Sequence, residues 1–171
     1  YNTSMIHLPT TAQHVIDTMQ KNGFECYAVG GSVRDTLSGK PTRGWDFTAN
    51  ATPEEILTVF PDSFYDNRFG TVGIKIYKPT QAKPANEKTS ENIREIDDIY
   101  EITTFRSEKG YSDFRHPDMI TWGTTLQEDL SRRDFTINAI ATDGKKIHDP
   151  YNGQKDLQDK IIRTVGNPED R

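Results

Sequence analysis

Cysteine is nearly absent from this chain, and its scarcity excludes two kinds of site. Cys26 is the only cysteine among 171 residues, so neither an internal disulfide nor a cysteine-rich zinc site can form within the chain. A lone cysteine in an apolar stretch is typical of a small core residue with no disulfide partner, and it favours a cytoplasmic location. His7, His14 and His148 also lack the spacing of metal ligands.

Long apolar runs and net positive charge are missing too. Hydrophobic residues make up 33% of the chain, and no run approaches the roughly 20 apolar residues of a membrane helix, so we expect no membrane partner. The formal net charge is −5, whereas simple nucleic-acid binders are basic overall. This balance argues against nucleic-acid binding through the whole surface, but it permits a local basic patch and an acidic metal site.

Short strand and helix patterns alternate along the chain. Strands are predicted at 24–29 and 45–49, and a helix is predicted to begin at Thr52, where Pro53 and two acids follow a capping residue. A further helix is predicted at 137–141, and a polar loop at 78–94. The length suits one domain, and the alternation predicts an α/β (α+β) sheet domain over residues 1–171.

A glycine pair follows the first predicted strand and opens a helix, in the run Gly30-Gly31-Ser32-Val33-Arg34-Asp35. Glycines let the backbone approach an anion closely, and a helix N-terminus offers free N–H groups. Arg34 lies one turn into the helix, where its guanidinium can bind a phosphate. The alternative is a tight strand-to-helix turn in which Arg34 pairs with Asp35.

Carboxylates on two predicted strands form a candidate metal site. Asp46 lies between two aromatic residues on a strand that follows the glycine pair, and Glu101 is the best candidate on a neighbouring strand, ahead of Asp97 and Asp98. A phosphate-binding turn beside carboxylates is the arrangement of a magnesium-dependent phosphoryl-transfer site. A second acid two residues before Asp46 would share its strand face, but that position is Gly44. The alternative is that these acids are ordinary solvated side chains.

Cationic side chains occur in two later segments. Arg132, Arg133 and Asp134 precede an apolar stretch, where two arginines beside an acid can bind a triphosphate and ribose, although a charged helix start explains them equally well. The segment 106–122 interleaves cations with aromatic rings, which suits contacts to single-stranded nucleic acid. An ordinary surface loop is the alternative for that segment.

Five segments, taken in order, resemble the class II tRNA nucleotidyltransferases (CCA-adding enzymes) and the bacterial poly(A) polymerases, within the DNA polymerase beta-like superfamily. The segments are 30–35, 45–55, 101–106, 110–118 and 132–139. The resemblance implies a nucleotidyltransferase-type mixed sheet with helices packed on one side. It also implies template-independent transfer from CTP or ATP to the 3′ end of tRNA, with Mg²⁺ as cofactor.

The resemblance also assigns roles to individual residues. Asp46 and Glu101 correspond to the catalytic, metal-binding carboxylates of the family. The nucleotide-binding positions are Gly30, Gly31, Arg34, Arg133 and Asp134. The family's flexible loop corresponds to a segment that includes Arg106, Tyr111, Asp113, Arg115 and His116.

Two departures from the family pattern bear on activity. The family's metal strand reads Asp-x-Asp, and Gly44 stands at the first aspartate, so we expect an impaired metal site. The family's base-selecting Glu-Asp-x-x-Arg motif lies in a neck domain, and we expect this chain to end at the start of that neck. A poly(A) polymerase head domain and a non-catalytic, degenerate or engineered module remain the alternative interpretations.

Overall fold

A computed structural model describes residues 6–66, 70–79, 95–106, 125–167 and 169. Its helices and strands follow the predicted alternation. In chain order they are α1 (Thr10–Lys21), β1 (Cys26–Val29), α2 (Gly31–Leu37), β2 (Asp46–Ala49), α3 (Pro53–Val59), β3 (Ser63–Asp66), β4 (Thr71–Tyr77), β5 (Ile96–Thr104), α4 (Leu126–Ser131), a 3₁₀ turn (Thr136–Asn138), β6 (Ala141–Thr142), β7 (Ile147–His148) and α5 (Gly153–Asp159).

The strands form one seven-stranded sheet in the order β3-β4-β5-β2-β1-β6-β7. Only the central β2–β5 pair is parallel, and the other neighbours in the sheet are antiparallel. The predicted mixed-sheet α/β class is therefore confirmed. Because β2 and β5 run parallel and are offset along their length, the start of β2 lies beside the second half of β5.

The main core lies between one face of the sheet and helices α1 and α3. Ile16 and Met19 of α1 and Ile56 of α3 are fully buried there against strand residues such as Phe47 and Ile102. Strand alternation sends Asp46 and Glu101 to the opposite face. That second face carries a smaller cluster at its β1–β6 end, built around Val29, Leu130 and Ala141, and this cluster includes α4.

Local sequence signals explain where α3 and α4 begin. Thr52 accepts a hydrogen bond from the Glu55 backbone N–H while the Glu55 carboxylate accepts one from the Thr52 N–H, with Pro53 in the first turn. Thr125 and Glu128 form the same capping box at the start of α4. Such a box satisfies two N–H groups that a helix start otherwise leaves unpaired, so the predicted start of α3 is confirmed.

One predicted element differs from the structure, and another lies mostly outside the described residues. The helix predicted at 137–141 is wrong, since that stretch is a 3₁₀ turn that leads into β6. Ala139, Ile140 and Ala141 are buried, and Gly153 lies so close to the turn that a Cβ there would meet the Thr136 carbonyl and Ile140. Of the loop predicted at 78–94, Lys78 and Pro79 follow β4, and the remainder lies outside the described residues.

The described chain has no helix of the length and apolar character needed to cross a membrane. Cys26 is a buried free thiol in the main core, and burial raises the pKa of that thiol well above its usual value.

Candidate functional site

Two carboxylates lie side by side on the open face of the sheet. Asp46, the first residue of β2, is the direct register partner of Glu101 in β5, and both residues are exposed. The Glu101 N–H donates to the Trp45 carbonyl at 3.0 Å, which holds the two strands in this register. Of the three acids considered on β5, the structure therefore brings Glu101 to Asp46.

Asp46 experiences opposing charges from its two neighbours. Its pKa is raised, first because surrounding protein removes water from the carboxylate and then because Glu101 repels it, while Arg133 partly opposes the rise. The charged form is therefore held at a cost, which a bound cation would reduce.

Gly30 provides the open space beside these carboxylates. It has a φ of +78°, a left-handed conformation that glycine adopts without a steric penalty. A Cβ at this position would lie 3.3 Å from Nη1 of Arg133 and 4.0 Å from Oδ2 of Asp46. The space where a side chain of residue 30 would lie is therefore bordered by a guanidinium and by a carboxylate, and the absence of that side chain keeps the space open.

Arg34 is held in place by two neighbours at the start of α2. Its guanidinium pairs with Asp35 at 2.9 Å and donates through Nη1 to the Asn138 side-chain carbonyl at 2.8 Å. Asn138 in turn donates to Asp134 at 3.2 Å. The structure thus shows the Arg34–Asp35 pair of the alternative interpretation, and it links Arg34 to Asp134, an exposed carboxylate.

Asp129 is the residue of this region that the sequence interpretation missed. It is fully buried and accepts hydrogen bonds from Nε and Nη2 of Arg132, at 3.1 and 2.8 Å, and from Nη2 of Arg133 at 3.0 Å. Burial alone would raise its pKa, but the two arginines outweigh burial and lower it. The i, i+3 and i, i+4 spacing to the arginines was the signal that could have identified it.

The bonds to Asp129 fix the orientation of Arg133. Nη2 of Arg133 is held by the buried carboxylate, and Nη1 lies against Gly30. The Arg106 backbone N–H also donates to Asp129, at 3.3 Å. Tyr111, Asp113, Arg115 and His116 of the predicted flexible loop lie outside the described residues.

The position of Gly44 corrects one sequence inference. We expected residue 44 to share the strand face of Asp46, but β2 begins at Asp46, and Gly44 lies before it in a bend with a φ of +64°. Its N–H donates to Oδ2 of Asp98 at 3.0 Å. The two-residue alternation of a strand therefore does not extend to this position.

A metal site cannot be completed from the described side chains alone. Within residues 6–66, 70–79, 95–106 and 125–167, no group of three or more His, Cys, Asp or Glu side chains is placed to hold a metal ion. Asp46 and Glu101 form a pair of oxygen ligands, the type that Mg²⁺ prefers. Further ligands would have to come from water or from a substrate.

Known relatives resemble the chain over nearly its whole length. The chain is 42% identical to the CCA-adding enzyme of Staphylococcus saprophyticus over 163 residues, and 41% identical to that of Staphylococcus aureus (strain MRSA252) over 162 residues. Each alignment covers 94% of this chain but 36% of the relative. The chain therefore spans about a third of the length of these relatives.

Solved structures share the fold. The CCA-adding enzyme of Bacillus stearothermophilus in complex with CTP matches with a TM-score of 0.71 and 32% identity, over 94% of this chain and 34% of that chain. A tRNA nucleotidyltransferase complexed with a primer tRNA and an incoming ATP analog matches with a TM-score of 0.61 and 28% identity, over 88% of this chain and 38% of that chain.

The family model described as the Poly A polymerase head domain matches residues 26–163, which contain the whole sheet and every candidate site residue. With this match, the carboxylate pair on parallel strands and the glycine turn beside it place the chain in the Poly A polymerase head domain family.

Proposed function

We propose that the chain is the catalytic head domain of a tRNA nucleotidyltransferase that transfers nucleotides from CTP and ATP to the 3′ end of tRNA. One observation carries the proposal: the Asp46–Glu101 pair lies directly beside a glycine gap bordered by Arg133. Anionic ligands for a cation and a cationic group for phosphate oxygens are thereby adjacent, as nucleotidyl transfer requires. The curated relatives at 41–42% identity favour CCA addition over poly(A) synthesis.

In the proposed reaction, the triphosphate lies against Gly30 and Gly31, where the missing side chains allow close backbone approach. Arg34 and Arg133 bind its oxygens, and Asp134 positions Arg34 through Asn138. The 3′-hydroxyl of the acceptor gives up its proton to water, and its oxygen forms a bond to the α-phosphorus. The bond from that phosphorus to the bridging oxygen breaks, and pyrophosphate leaves.

Asp46 and Glu101 would hold a divalent cation, which we propose is Mg²⁺. Their fit to a cation rests on their direct register pairing on one exposed face of the sheet, which places two oxygen ligands side by side. When bound, such an ion lowers the pKa of the attacking hydroxyl and neutralises developing charge. Because no third His, Cys, Asp or Glu side chain among the described residues joins this pair, we infer that binding of the ion depends on nucleotide.

Calorimetric titration of the chain with ATP and with CTP in the presence of Mg²⁺ tests this proposal. Arg133→Ala should weaken binding of both nucleotides by about 1.5–3 kcal/mol, the range for hydrogen bonds to charged groups. Arg132→Ala is the matched control, since both arginines bind Asp129 and only Arg133 lies against Gly30. Equal losses in the two variants would show that Arg133 acts only through the fold.

The same titration addresses base selection and the non-catalytic alternative. We propose that the chain prefers neither CTP nor ATP, because the resemblance assigns base choice to the neck. A tenfold preference would show that the head carries its own base-selecting group. Absence of Mg²⁺-dependent binding for both nucleotides would instead favour the non-catalytic module.

A further inference from the structure

An aromatic ring lies in the same row of the sheet as the two carboxylates. Phe64 in β3 is the register partner of Gly73 in β4, Gly73 is the partner of Glu101 in β5, and Glu101 is the partner of Asp46 in β2. Direct partners point to the same face of a sheet. Phe64 therefore shares the open face with the proposed catalytic pair.

The ring of Phe64 lies flat on the backbone of Gly73. A Cβ built on Gly73 would overlap the ring, with both Cε atoms at an equal 2.8 Å and Cζ nearer still. Both Cε atoms are only slightly farther from that position than Cζ is, which places it above the ring face at the Cζ end and not beyond the ring edge. One face of the ring is thus covered by the glycine, and the opposite face points away from the sheet.

The outward face of this ring is available to a ligand. Phe64 keeps 42% of its surface exposed, and Ile99 on the same face of β5 keeps 41% exposed. A flat ring supported from below suits stacking with a nucleobase, because every base presents a π-face. We refer to Phe64 on Gly73 as the aromatic platform.

The position of the platform identifies its ligand. In phosphoryl transfer the attacking and leaving oxygens lie roughly in line, on opposite sides of the phosphorus. In the proposed function, the leaving pyrophosphate lies on the β1 side of Asp46, where Gly30 and Arg133 lie. The attacking hydroxyl must then approach from the β5–β4 side, where the platform lies.

The spacing of the strands agrees with this assignment. Neighbouring strands are about 4.8 Å apart, so Gly73 lies about 5 Å from Glu101 and about 10 Å from Asp46 along the row. A nucleotide with its 3′-oxygen near the carboxylates can therefore reach the ring with its own base. The triphosphate of the incoming nucleotide is proposed to lie on the opposite side of Asp46, at Gly30.

We propose that the aromatic platform stacks with the base of the 3′-terminal nucleotide of the acceptor strand. The platform positions the acceptor hydroxyl toward Glu101 and Asp46 without contacting the incoming base. This inference rests on the proposed function, because it takes the side of Gly30 as the triphosphate side.

Fluorescence anisotropy with two short RNA oligonucleotides tests the platform. One oligonucleotide ends in adenosine, and the other is identical except that its terminal ribose carries no base. Phe64→Leu, which removes the ring and keeps an apolar side chain, should weaken binding of the adenosine-ended RNA about fivefold or more, the lower end for one stacked base. Binding of the abasic RNA should not change.

Two further variants make the result specific. Gly73→Ala keeps the ring but displaces it from the backbone, so it should weaken binding of the adenosine-ended RNA and leave binding of the abasic RNA unchanged. Tyr65→Leu is the matched control, because Tyr65 is 38% exposed on the same strand but pairs with the buried Val72, on the other face. It should leave both affinities unchanged.

The outcomes separate this inference from the proposed function. The inference is overturned if Phe64→Leu weakens the binding of both RNAs equally or of neither. It is also overturned if the parent chain binds the two RNAs with equal affinity, or binds neither. A loss of ATP binding in Phe64→Leu, measured by calorimetry with Mg²⁺, would reassign the ring to the incoming base. If the RNA measurements overturn the inference but the variant and the parent chain bind ATP equally well, the proposed function still stands.

Discussion

The replacement Asp129→Asn probes the internal support of the proposed site with almost no change in side-chain volume. In the parent chain, Asp129 is fully buried and forms ion pairs with Arg132 and Arg133, whose side chains are 24% and 19% exposed. The asparagine keeps one carbonyl acceptor but removes the charge. The two arginines, in their poorly hydrated positions, then lose the carboxylate that both of them bind.

The expected cost follows from this geometry. Breaking a buried ion pair so that one charge is left uncompensated costs about 3–5 kcal/mol. The arginines keep some solvent contact and the asparagine keeps an acceptor, so we expect the lower end, about 3 kcal/mol. For a domain of this size such a loss lowers the melting temperature by about 6–12 °C.

Differential scanning calorimetry at neutral pH measures this loss directly. Asp159→Asn is a suitable control, because it removes the same charge from an exposed i, i+4 pair with Lys155 on α5. An exposed helical pair contributes about 0.3–0.5 kcal/mol, so its melting temperature should change little. If Asp129→Asn also loses less than about 1 kcal/mol, the buried carboxylate does not anchor the arginines.

The pH dependence of Asp129→Asn adds an independent check. The folded-state pKa of Asp129 is lowered from 3.8, because the arginines outweigh the effect of burial. A lowered pKa stabilises the fold above the unfolded-state value and is lost as the pH falls through the folded-state value. The gap in melting temperature between parent and variant should therefore persist from neutral pH to about 3.8 and narrow only below it.

Three other replacements test the site by their effect on stability. Asp46→Asn should raise the melting temperature at neutral pH, because the raised pKa of Asp46 shows that folding makes its charged form less favourable. The gain should vanish below pH 3.8, where Asp46 of the parent is protonated in both the folded and the unfolded state. A lower melting temperature at neutral pH would contradict this prediction. Gly44→Asp should cost about 1–2 kcal/mol in urea denaturation, since residue 44 has a φ of +64°, and an unchanged midpoint would show that the bend adopts another conformation. Gly30→Ala should lose a similar free energy of unfolding, and it should also weaken ATP binding in calorimetry because the new methyl group meets Arg133. An unchanged ATP affinity would exclude the space at Gly30 as the triphosphate site.

Local features of the molecule followed from the sequence alone. The start of α3 is set by Thr52, Pro53 and Glu55 within four residues, so no distant contact is needed to predict it. The glycine pair at 30–31 likewise predicts a turn that opens a helix, because only glycine takes the left-handed conformation freely. The buried Cys26 followed from its apolar neighbours.

The arrangement of the candidate site was decided by tertiary structure. Asp46 and Glu101 are far apart in sequence, and only the parallel pairing of β2 with β5 makes them neighbours rather than Asp97 or Asp98. The spacing of Asp129 to two arginines predicts ion pairs, but its complete burial, on which its role depends, is set by tertiary packing. Gly44 does not lie on the predicted strand face, because its backbone adopts the left-handed region before β2 begins. At this position its N–H donates to Asp98, a residue distant in sequence. Pairing across strands is what places Phe64 on Gly73 and beside the carboxylates, since the register of a sheet is set by the burial of its other face.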